Sequence, residues 1–413
     1  MDTDFDIVVI GGGAAGLAGA IKANELGLKT LIVENNQRLG GIPLQCAHPG
    51  FGNFYYQENL TGAEYAERLI SAASSKNISF LTTAHVTKIE HLSQSKNSIT
   101  VITKEGIKKI STTTILYATG ARERHLYETG IKGDRLSGVY TAGEAQTLMD
   151  IHGVMPGKNI VIIGSGDIGL IMARRFALEG AQVICCIELF PYPGGLSRNV
   201  VQCLHDFNIP LLTSKMVTEL KGKDRVEKVI TVNVDENLHP LSGTEKEITC
   251  DTVALATGLI PYTKKLEEIN VILDPATKGP KIHETFETSI PGIFAAGNVV
   301  TINDYVDYAS DQGEFAARGA KEFIERAGED PTVWKPVEMK GNLRLIVPQY
   351  ISGKRDVTFY LRVKRPRPKA KIHLVEIDKI VDKKGVTPSE MIKISLKKEE
   401  LLTLKDKLTV EIV

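Results

Sequence analysis

The sequence has few cysteines, and their spacing matches neither a redox pair nor a disulfide framework. The five are Cys46, Cys185, Cys186, Cys203 and Cys250, with no C-x-x-C and no C-x4-C after Gly40-Gly41. Disulfide reduction by a dithiol relay needs one attacking thiolate and a second thiol that resolves the mixed disulfide. The sequence therefore argues against disulfide reduction by a local dithiol, and we expect a reduced, cytoplasmic protein.

Other missing features exclude further classes of protein. No apolar run approaches the roughly 20 residues of a membrane span. The acidic segment 1–6 resembles neither a signal peptide nor a transit peptide. No cluster of His, Cys, Asp and Glu has the spacing of metal ligands. We therefore expect a globular chain of two or three domains without a membrane span or a metal site.

A net charge of zero hides an uneven distribution of charge. The chain has 50 Lys/Arg and 50 Asp/Glu, but from Asp330 onward there are 19 basic and 11 acidic residues. The densest basic stretch, Lys364–Lys371, contains two prolines and no aromatic residue. This composition favours a solvated hairpin loop, with a docking patch for an acidic partner as the alternative. Nucleic acid is not an expected partner.

Two glycine-rich segments each follow an apolar, β-branched run and precede a helical pattern. The first contains Gly11, Gly13, Ala14, Ala15 and Gly16, and the second contains Gly164, Gly166, Asp167, Ile168 and Gly169. A second strand then ends in Glu34 or Glu188. Such glycines permit the tight turn, the approach of a pyrophosphate and helix packing, while the carboxylate binds a ribose. Two such sites predict two dinucleotides that exchange electrons.

The rest of the pattern repeats this organisation. A threonine cap with glutamate three residues later predicts a helix over 61–74, and a helical pattern over 307–327 ends at Gly328 and Pro331. Strands are predicted over 79–83, 98–103, 113–117, 226–234 and 252–255. Two of these close in Ala-Thr-Gly, at Thr119-Gly120 and at Gly258. From about residue 329, alternating runs over 343–347, 357–363 and 372–377 predict a small β-rich domain.

With the Gly297-Asn298 segment added, these motifs resemble the pyridine nucleotide-disulfide oxidoreductase superfamily over residues 1–327. The resemblance implies an α/β fold with two Rossmann-like domains, the second inserted in the first. The implied FAD domain comprises 1–121 and 260–327, the NAD(P) domain 122–259, and the C-terminal β-rich domain 328–413. Most relatives carry aspartate where this chain has Asn298, and the neutral amide still forms hydrogen bonds.

The resemblance also implies the residues that hold each cofactor. For FAD they are the first glycine segment and Glu34, together with Gly40, Gly41, Gln45, Val86, Thr119, Gly120, Gly297 and Asn298. For NAD(H) they are the second glycine segment, Glu188 and Gly258. A carboxylate at Glu188 facing a 2′-phosphate at about 4 Å would cost about 4 kcal/mol at an effective dielectric constant near 20. NADH is therefore expected in preference to NADPH.

The segments 40–52 and 164–175, with the β-rich tail, are similar to the FAD/NAD subunit associated with glycerol-3-phosphate, sarcosine, opine or proline dehydrogenases. This resemblance implies hydride exchange between NAD(H) and FAD. Electrons would pass to or from a partner dehydrogenase or redox subunit, with Lys364–Lys371 as the candidate dock. An oligomer or a hetero-complex is expected.

Two alternatives remain open at the level of sequence. Cys46 lies on the loop expected near the flavin, and His48 could lower its pKa. The chain would then be a stand-alone NADH oxidase or peroxidase that cycles through sulfenic acid; otherwise Cys46 is a packing residue. The second alternative is a flavin-bearing assembly subunit that binds NAD(H) without turnover.

Overall fold

A computed structural model describes residues 4–327 and 332–413, and the chain divides into two compact units. The first contains the described residues of Met1–Ala121 and Pro261–Val413, and the second is Arg122–Ile260. Among the described residues, no helix combines the length and the apolar character that crossing a bilayer requires.

The first unit begins with a βαβ segment that continues into a mixed sheet. The strands in this part of the unit are β1 (Phe5–Ile10), β2 (Thr30–Val33), β3 (Pro49–Phe51), β4 (Leu60–Thr61), β5 (Ile78–Leu81), β6 (His85–Ser93), β7 (Lys96–Thr103) and β8 (Gly106–Tyr117), and the helices are α1 (Ala14–Glu25) and α2 (Gly62–Ser74). Strands β3 and β4 pair with each other outside the main sheet. The order β5-β2-β1-β8 is parallel, and β7 and β6 add antiparallel strands beside β8. The central strand β1 is buried because both faces are covered.

Local signals place several of these elements. The predicted capping box forms at the start of α2, where the Thr61 hydroxyl accepts from the Glu64 backbone N–H and the Glu64 carboxylate accepts from the Thr61 N–H. The strands predicted for this part of the unit are present, but β6 was not predicted. Its apolar residues Val86, Ile89 and Leu92 are three positions apart instead of two, and the pairing of β6 with β7 shifts register twice. The alternating pattern that indicates a strand is therefore missing.

The second unit repeats the βαβ arrangement around a parallel sheet. Its strands are β9 (Ala121–Glu123), β10 (Val139–Thr141), β11 (Asn159–Ile163), β12 (Gln182–Ile187), β13 (Leu211–Leu212), β14 (Lys215–Gly222), β15 (Val226–Asn233), β16 (Lys246–Thr249), β17 (Thr252–Leu255) and β18 (Leu259–Pro261), and its helices are α3 (Ala142–Asp150), α4 (Asp167–Leu178) and α5 (Ser197–Cys203). The parallel order is β10-β17-β11-β12-β13, and β14, β15 and β16 form an antiparallel sheet. Strands β9 and β18 lie where the chain passes between the units.

After the second unit, the chain returns to the first through α6 (Lys264–Glu267), β19 (Ile293–Ala295) and α7 (Val306–Glu325). Strand β19 pairs with β8 in the main sheet. Helix α7 packs on α1 through small residues: a Cβ atom at Gly313 would lie 2.0 Å from the Ala15 carbonyl oxygen. The predicted stop at Gly328 and Pro331 lies outside the described residues.

The C-terminal segment forms two sheets. Its strands are β20 (Lys335–Gly341), β21 (Leu343–Val347), β22 (Tyr350–Ile351), β23 (Val357–Val363), β24 (Arg367–Leu374), β25 (Lys379–Val386), β26 (Ile392–Leu396) and β27 (Leu408–Ile412). The sheet orders are β22-β20-β27-β24-β25 and β21-β23-β26. They enclose their own apolar core, yet Val347, Tyr360 and Met391 belong to the main core of the first unit.

Two expectations for this segment were wrong in detail. Arg367–Lys371 is not a loop but the first part of β24, paired with β25. Pro368 is tolerated there because β27 pairs with β24 only from Ile372 onward, so the missing N–H interrupts no second ladder. Val375–Ile377, predicted as strand, is a 3-10 turn that leads into the left-handed residue Asp378.

The contact between α1 and α7 predicts that Gly313→Ala destabilises the protein. The added methyl group would overlap the Ala15 carbonyl, and overpacking of this kind costs about 2 kcal/mol. Urea unfolding of the apoprotein measures the loss. Arg318→Ala on the exposed side of the same helix should change the free energy of unfolding by no more than about 0.5 kcal/mol. Equal effects of the two substitutions would contradict the packing argument.

Candidate functional site

The first glycine-rich turn has four glycines, and the three that match the G-x-G-x-x-G pattern, Gly11, Gly13 and Gly16, have different surroundings. A Cβ atom at Gly11 would lie 2.5 Å from the Ala118 carbonyl oxygen, and Gly11 has a φ of +104°. A Cβ atom at Gly16 would lie 1.9 Å from the Gly11 carbonyl oxygen. At Gly13, by contrast, the nearest such atom is the Gly41 Cα at 4.0 Å. The outer two glycines are therefore required by the fold, whereas protein packing alone does not require the middle one.

The second turn has the same arrangement. Cβ atoms at Gly164 and Gly169 would each lie 2.3 Å from a backbone carbonyl oxygen, that of Ala256 and that of Gly164 respectively. A Cβ atom at Gly166 would meet no atom within 4 Å. Glycine at this middle position fits a ligand that approaches the backbone at the helix N-terminus, as a dinucleotide pyrophosphate does. Both turns therefore fit the cofactors that the sequence predicts.

The acidic residue at the end of each second strand is fixed in the same way. Glu34 and Glu188 are each 7% exposed. Glu34 accepts hydrogen bonds from the backbone N–H groups of Gly12 and Asn36, both at 2.7 Å. Glu188 accepts from those of Ser165 and Phe190, both at 3.0 Å, and also from the Ser165 hydroxyl. Carboxylate oxygens accept more than one hydrogen bond, so both side chains retain capacity for ribose hydroxyls.

Further predicted FAD residues surround the first turn. The Gly40 N–H donates to the Gly12 carbonyl at 2.8 Å, and a Cβ atom at Gly41 would lie 2.9 Å from the Gly13 Cα. Gln45 ends the adjacent 3-10 turn. Thr119 and Gly120 follow β8, beside Gly11 through Ala118. Val86 is buried in β6, just after the segment whose Ala84 N–H donates to the Glu34 carbonyl.

Gly297 and Asn298 join this group from the C-terminal side. A Cβ atom at Gly297 would lie 2.8 Å from the Ala15 Cβ, so the Gly297 loop contacts the first glycine turn directly. The Asn298 Oδ1 accepts from the Asn303 backbone N–H at 3.0 Å, and the Gln312 Nε2 donates to the Asn303 Oδ1 at 3.1 Å. Asn303 and Gln312 were not identified from the sequence, because isolated amides carry no local signal.

The structure also places Cys46 and His48. Cys46 is buried, its thiol donates to the Ile42 carbonyl at 3.5 Å, and a Cβ atom at Gly62 would lie 2.6 Å from its Cβ. His48 has its Nδ1 3.0 Å from the Pro49 carbonyl oxygen. Cys46 is therefore tightly packed against Ile42 and Gly62. A catalytic role for Cys46 or His48 stays a prediction.

Asp307, which was predicted only as the start of a helix, is a further residue of this region. It is fully buried and accepts from the backbone N–H groups of Gly52, Phe54 and Tyr55, at 2.8–3.3 Å. Fully buried aspartates are rare unless they are paired or hydrogen-bonded. Asp307 thereby fixes the segment that follows His48 to the first turn of α7. An acidic residue in a helix's first turn was the available signal, but its distant partners were not predictable.

The second turn is bordered by the loop after Glu188. The Gly194 N–H donates to the Ser165 hydroxyl at 2.8 Å, and Asp167 accepts from the Leu196 N–H at 2.8 Å and the Asn199 amide at 2.7 Å. Ile168 is partly exposed at the start of α4, and Gly258 follows β17 with a φ of +106°. These hydrogen bonds hold the loop in place beside the predicted adenosine-ribose site.

The remaining cysteines are buried. Cys185 and Cys186 face different apolar cores on the two sides of their sheet, as successive residues of a strand do. Burial raises the pKa of Cys185 to about 12 and the pKa values of Cys203 and Cys250 to about 11. Burial also raises the pKa of Cys186. A thiol rather than a thiolate is then present at neutral pH, and thiols are poor nucleophiles. Among the described residues, no group of three or more His, Cys, Asp and Glu could hold a metal ion.

The family to which the sequence is similar agrees with the presence of these two turns. The sequence profile of the pyridine nucleotide-disulphide oxidoreductases matches residues 5–313. The chain belongs to this family. Mitochondrial dihydrolipoyl dehydrogenase of Sus scrofa is 30% identical over 356 residues, which are 76% of this chain and 66% of that enzyme. This member thus spans about two thirds of the length of its curated relatives.

Solved structures of related proteins have the same fold. T. acidophilum thioredoxin reductase is 25% identical in sequence and superposes with a TM-score of 0.65. The match covers 78% of this chain and 100% of the reductase chain. L-proline dehydrogenase from P. horikoshii is 19% identical with a TM-score of 0.56. The match covers 79% of this chain and 56% of the dehydrogenase chain. The predicted α/β class with Rossmann-like dinucleotide-binding domains is confirmed. Homologues in this oxidoreductase family bind FAD and NAD(P)H, which agrees with the predicted cofactors.

The contrast between middle and outer glycines predicts that substitutions at the middle glycine weaken cofactor binding, whereas substitutions at the outer glycines lower the stability of the protein. Gly13→Ala should leave the free energy of unfolding within about 1 kcal/mol, because the methyl group meets no protein atom closely. It should weaken FAD binding by a factor between about 5 and about 150, since overpacking against the pyrophosphate costs about 1–3 kcal/mol. Gly166→Ala should do the same to NADH. Urea unfolding and titrations of each cofactor measure both quantities.

The matched controls are Gly16→Ala and Gly169→Ala. Their methyl groups would overlap backbone carbonyls, so we expect stability itself to fall. If Gly13→Ala binds FAD normally, the assignment of the first turn to the pyrophosphate is wrong.

Proposed function

We propose that this protein is an FAD-dependent oxidoreductase that exchanges a hydride between NAD(H) and FAD and passes electrons to or from a partner redox subunit. The observation that carries the proposal is the pair of equivalent turns, each with a middle glycine that the fold does not require and a fixed carboxylate. When bound, FAD supplies the hydride chemistry, and the protein supplies binding, orientation and electrostatics. No protein acid or base is needed for the hydride step itself.

The cysteines support electron transfer to another subunit. Relatives of this chain include proteins named dihydrolipoyl dehydrogenase and thioredoxin reductase, but this sequence contains neither C-x-x-C nor C-x4-C after Gly41. Four of its five cysteines have raised pKa values caused by burial. We therefore infer that the next redox centre, a flavin or a cysteine-bound group, lies on a partner. The narrower likeness to dehydrogenase-associated FAD/NAD subunits agrees with this inference.

Glu188 supports NADH as the nicotinamide. Its carboxylate is held by Ser165 and Phe190 at the end of β12, and the first basic residue after it is Arg198, which is exposed. A 2′-phosphate near Glu188 would meet this negative charge, and the cost at about 4 Å is about 4 kcal/mol at an effective dielectric constant near 20.

Anaerobic titration with reduced nicotinamide tests the proposal. NADH should bleach the visible absorbance of the FAD-loaded protein, NADPH should do so at least about a hundredfold less efficiently, and Gly166→Ala should weaken the response to NADH. An unbleached spectrum with bound NADH would instead support an assembly subunit without turnover.

Cys46→Ser is the control for the single-cysteine alternative. The proposal expects bleaching by NADH and dye-coupled oxidation of NADH to persist in this variant, because no thiol takes part. Peroxide-dependent NADH turnover that is present in the native protein and absent from Cys46→Ser would show that the oxidase or peroxidase reading is correct.

The partner dock that we propose lies on the edge of the larger C-terminal sheet. The basic strip consists of Arg365, Arg367, Lys369, Lys371 and Lys384, all exposed. Within the described ranges 4–327 and 332–413, none of these five has a carboxylate oxygen within 4 Å of its charged nitrogens. Lys369 also lies directly opposite Lys384 on β25. Like charges in this position repel each other, and an acidic partner surface would relieve that repulsion.

Charge reversal tests the dock. In Lys369→Glu/Lys371→Glu, the partner redox subunit that co-purifies from the native host should be lost, and the association rate of the isolated partner should fall about tenfold or more at low salt. Bleaching by NADH should not change. Lys104→Glu, at an exposed position in the β7–β8 turn, is the control. Equal binding of both variants would place the dock elsewhere.

A further inference from the structure

Arg362 and Asp304 form a buried ion pair between the C-terminal sheets and the loop that leads from Gly297 to α7. We propose that this pair, the Arg362–Asp304 latch, makes Arg362 a positioning residue for FAD. The latch would set the Gly297 loop against the first glycine turn. This inference rests on the proposed binding of FAD at that turn.

The latch is specific in its geometry. Arg362 lies on β23 with its side chain 11% exposed, and the Asp304 side chain is 4% exposed. One guanidinium nitrogen donates to Asp304 and to the Ile302 carbonyl at 3.0 Å. The other donates to the carbonyls of Ser389 at 2.7 Å and Pro388 at 3.0 Å. The second carboxylate oxygen of Asp304 accepts from the Met391 backbone N–H.

A series of hydrogen bonds connects the latch to the Gly297 loop. Asn303, next to Asp304, donates to Asn298 through its backbone N–H at 3.0 Å and receives a bond from the Gln312 amide. Gln312 is fully buried and accepts from the Gly297 N–H at 3.0 Å. Gly297 in turn contacts Ala15 of the first glycine turn. Displacement of Asp304 would therefore act on the residues expected to face FAD.

The planar guanidinium suits this position better than other side chains. It presents several donors in a fixed fork, whereas a lysine ammonium is a point charge that cannot match four acceptors spread over two segments. A simple attachment role is the competing explanation, since a buried ion pair can merely hold two parts together. Arg355 provides the comparison, because it joins the same C-terminal segment to Glu322 and Glu284, away from the Gly297 loop.

The test compares FAD affinity with stability in the full-length apoprotein. FAD fluorescence quenching gives the dissociation constant, and urea unfolding gives the stability. Arg362→Met should weaken FAD binding about tenfold, within the usual range for coupling between sites, and Arg362→Lys should have an intermediate effect. Arg355→Met should lower stability without changing FAD affinity. If both methionine variants weaken FAD in proportion to their loss of stability, the latch is only an attachment.

A double-mutant cycle with Asn298→Ala tests the route. If Arg362 acts through the Asn298–Asn303 contact, Arg362→Met should weaken FAD binding much less in the Asn298→Ala background than in the native protein. Additive effects would overturn the proposed coupling while leaving the proposed function intact. If the unmodified chain takes up no FAD, the proposed function fails, and the latch fails with it.

Discussion

The close contact between the first and last glycines of each turn is the constraint on which the two predicted binding sites depend. At Gly16 and Gly169, hydrogen is the only substituent that fits beside the carbonyl of the first glycine. This contact brings the helix onto the end of the strand, so that the helix N-terminus and its unpaired N–H groups lie at the strand's carboxyl end. Such N-termini attract phosphates, and the middle glycine lets a pyrophosphate approach.

The same constraint places the carboxylates. Gly12 and Ser165, the residues after the first glycines, point their backbone N–H groups toward Glu34 and Glu188. The turn therefore orients the carboxylate that is predicted to bind the ribose, so the backbone geometry of the turn determines where this side chain lies. The carboxylate is held in the same way in both units, with one difference. In the second unit the Ser165 hydroxyl also donates to Glu188 and accepts from the Gly194 N–H, which fixes the loop after Glu188.

The features predicted from sequence are those determined by neighbours along the chain. The βαβ segments, the capping box at Thr61 and the strands that close in Ala-Thr-Gly all depend on residues within a few positions of one another. Asp307, Gln312 and Arg362 were not identified, because their partners lie far away in sequence: Asp307 bonds Gly52, and Arg362 bonds Asp304. The segment 367–371 was misassigned because Pro366 and Pro368 suggest a loop, whereas pairing with β25 on one side only tolerates Pro368.

The excess of positive charge after residue 330 divides into two groups with different roles. Arg355, Arg362 and Lys393 form ion pairs with carboxylates of the preceding part of the first unit: Glu322, Asp304 and Asp311. These cations attach the C-terminal sheets to that part of the unit, and among the three only Arg362 is proposed to act on the Gly297 loop. The basic strip on β24 and β25 has no such partners among the described residues, and its internal repulsion disfavours the isolated state. If its charge served only to keep an edge strand from pairing, as lysines on edge strands commonly do, the lysines of β25 alone would suffice. The further cations on β24, one strand inward, are what favour an acidic partner.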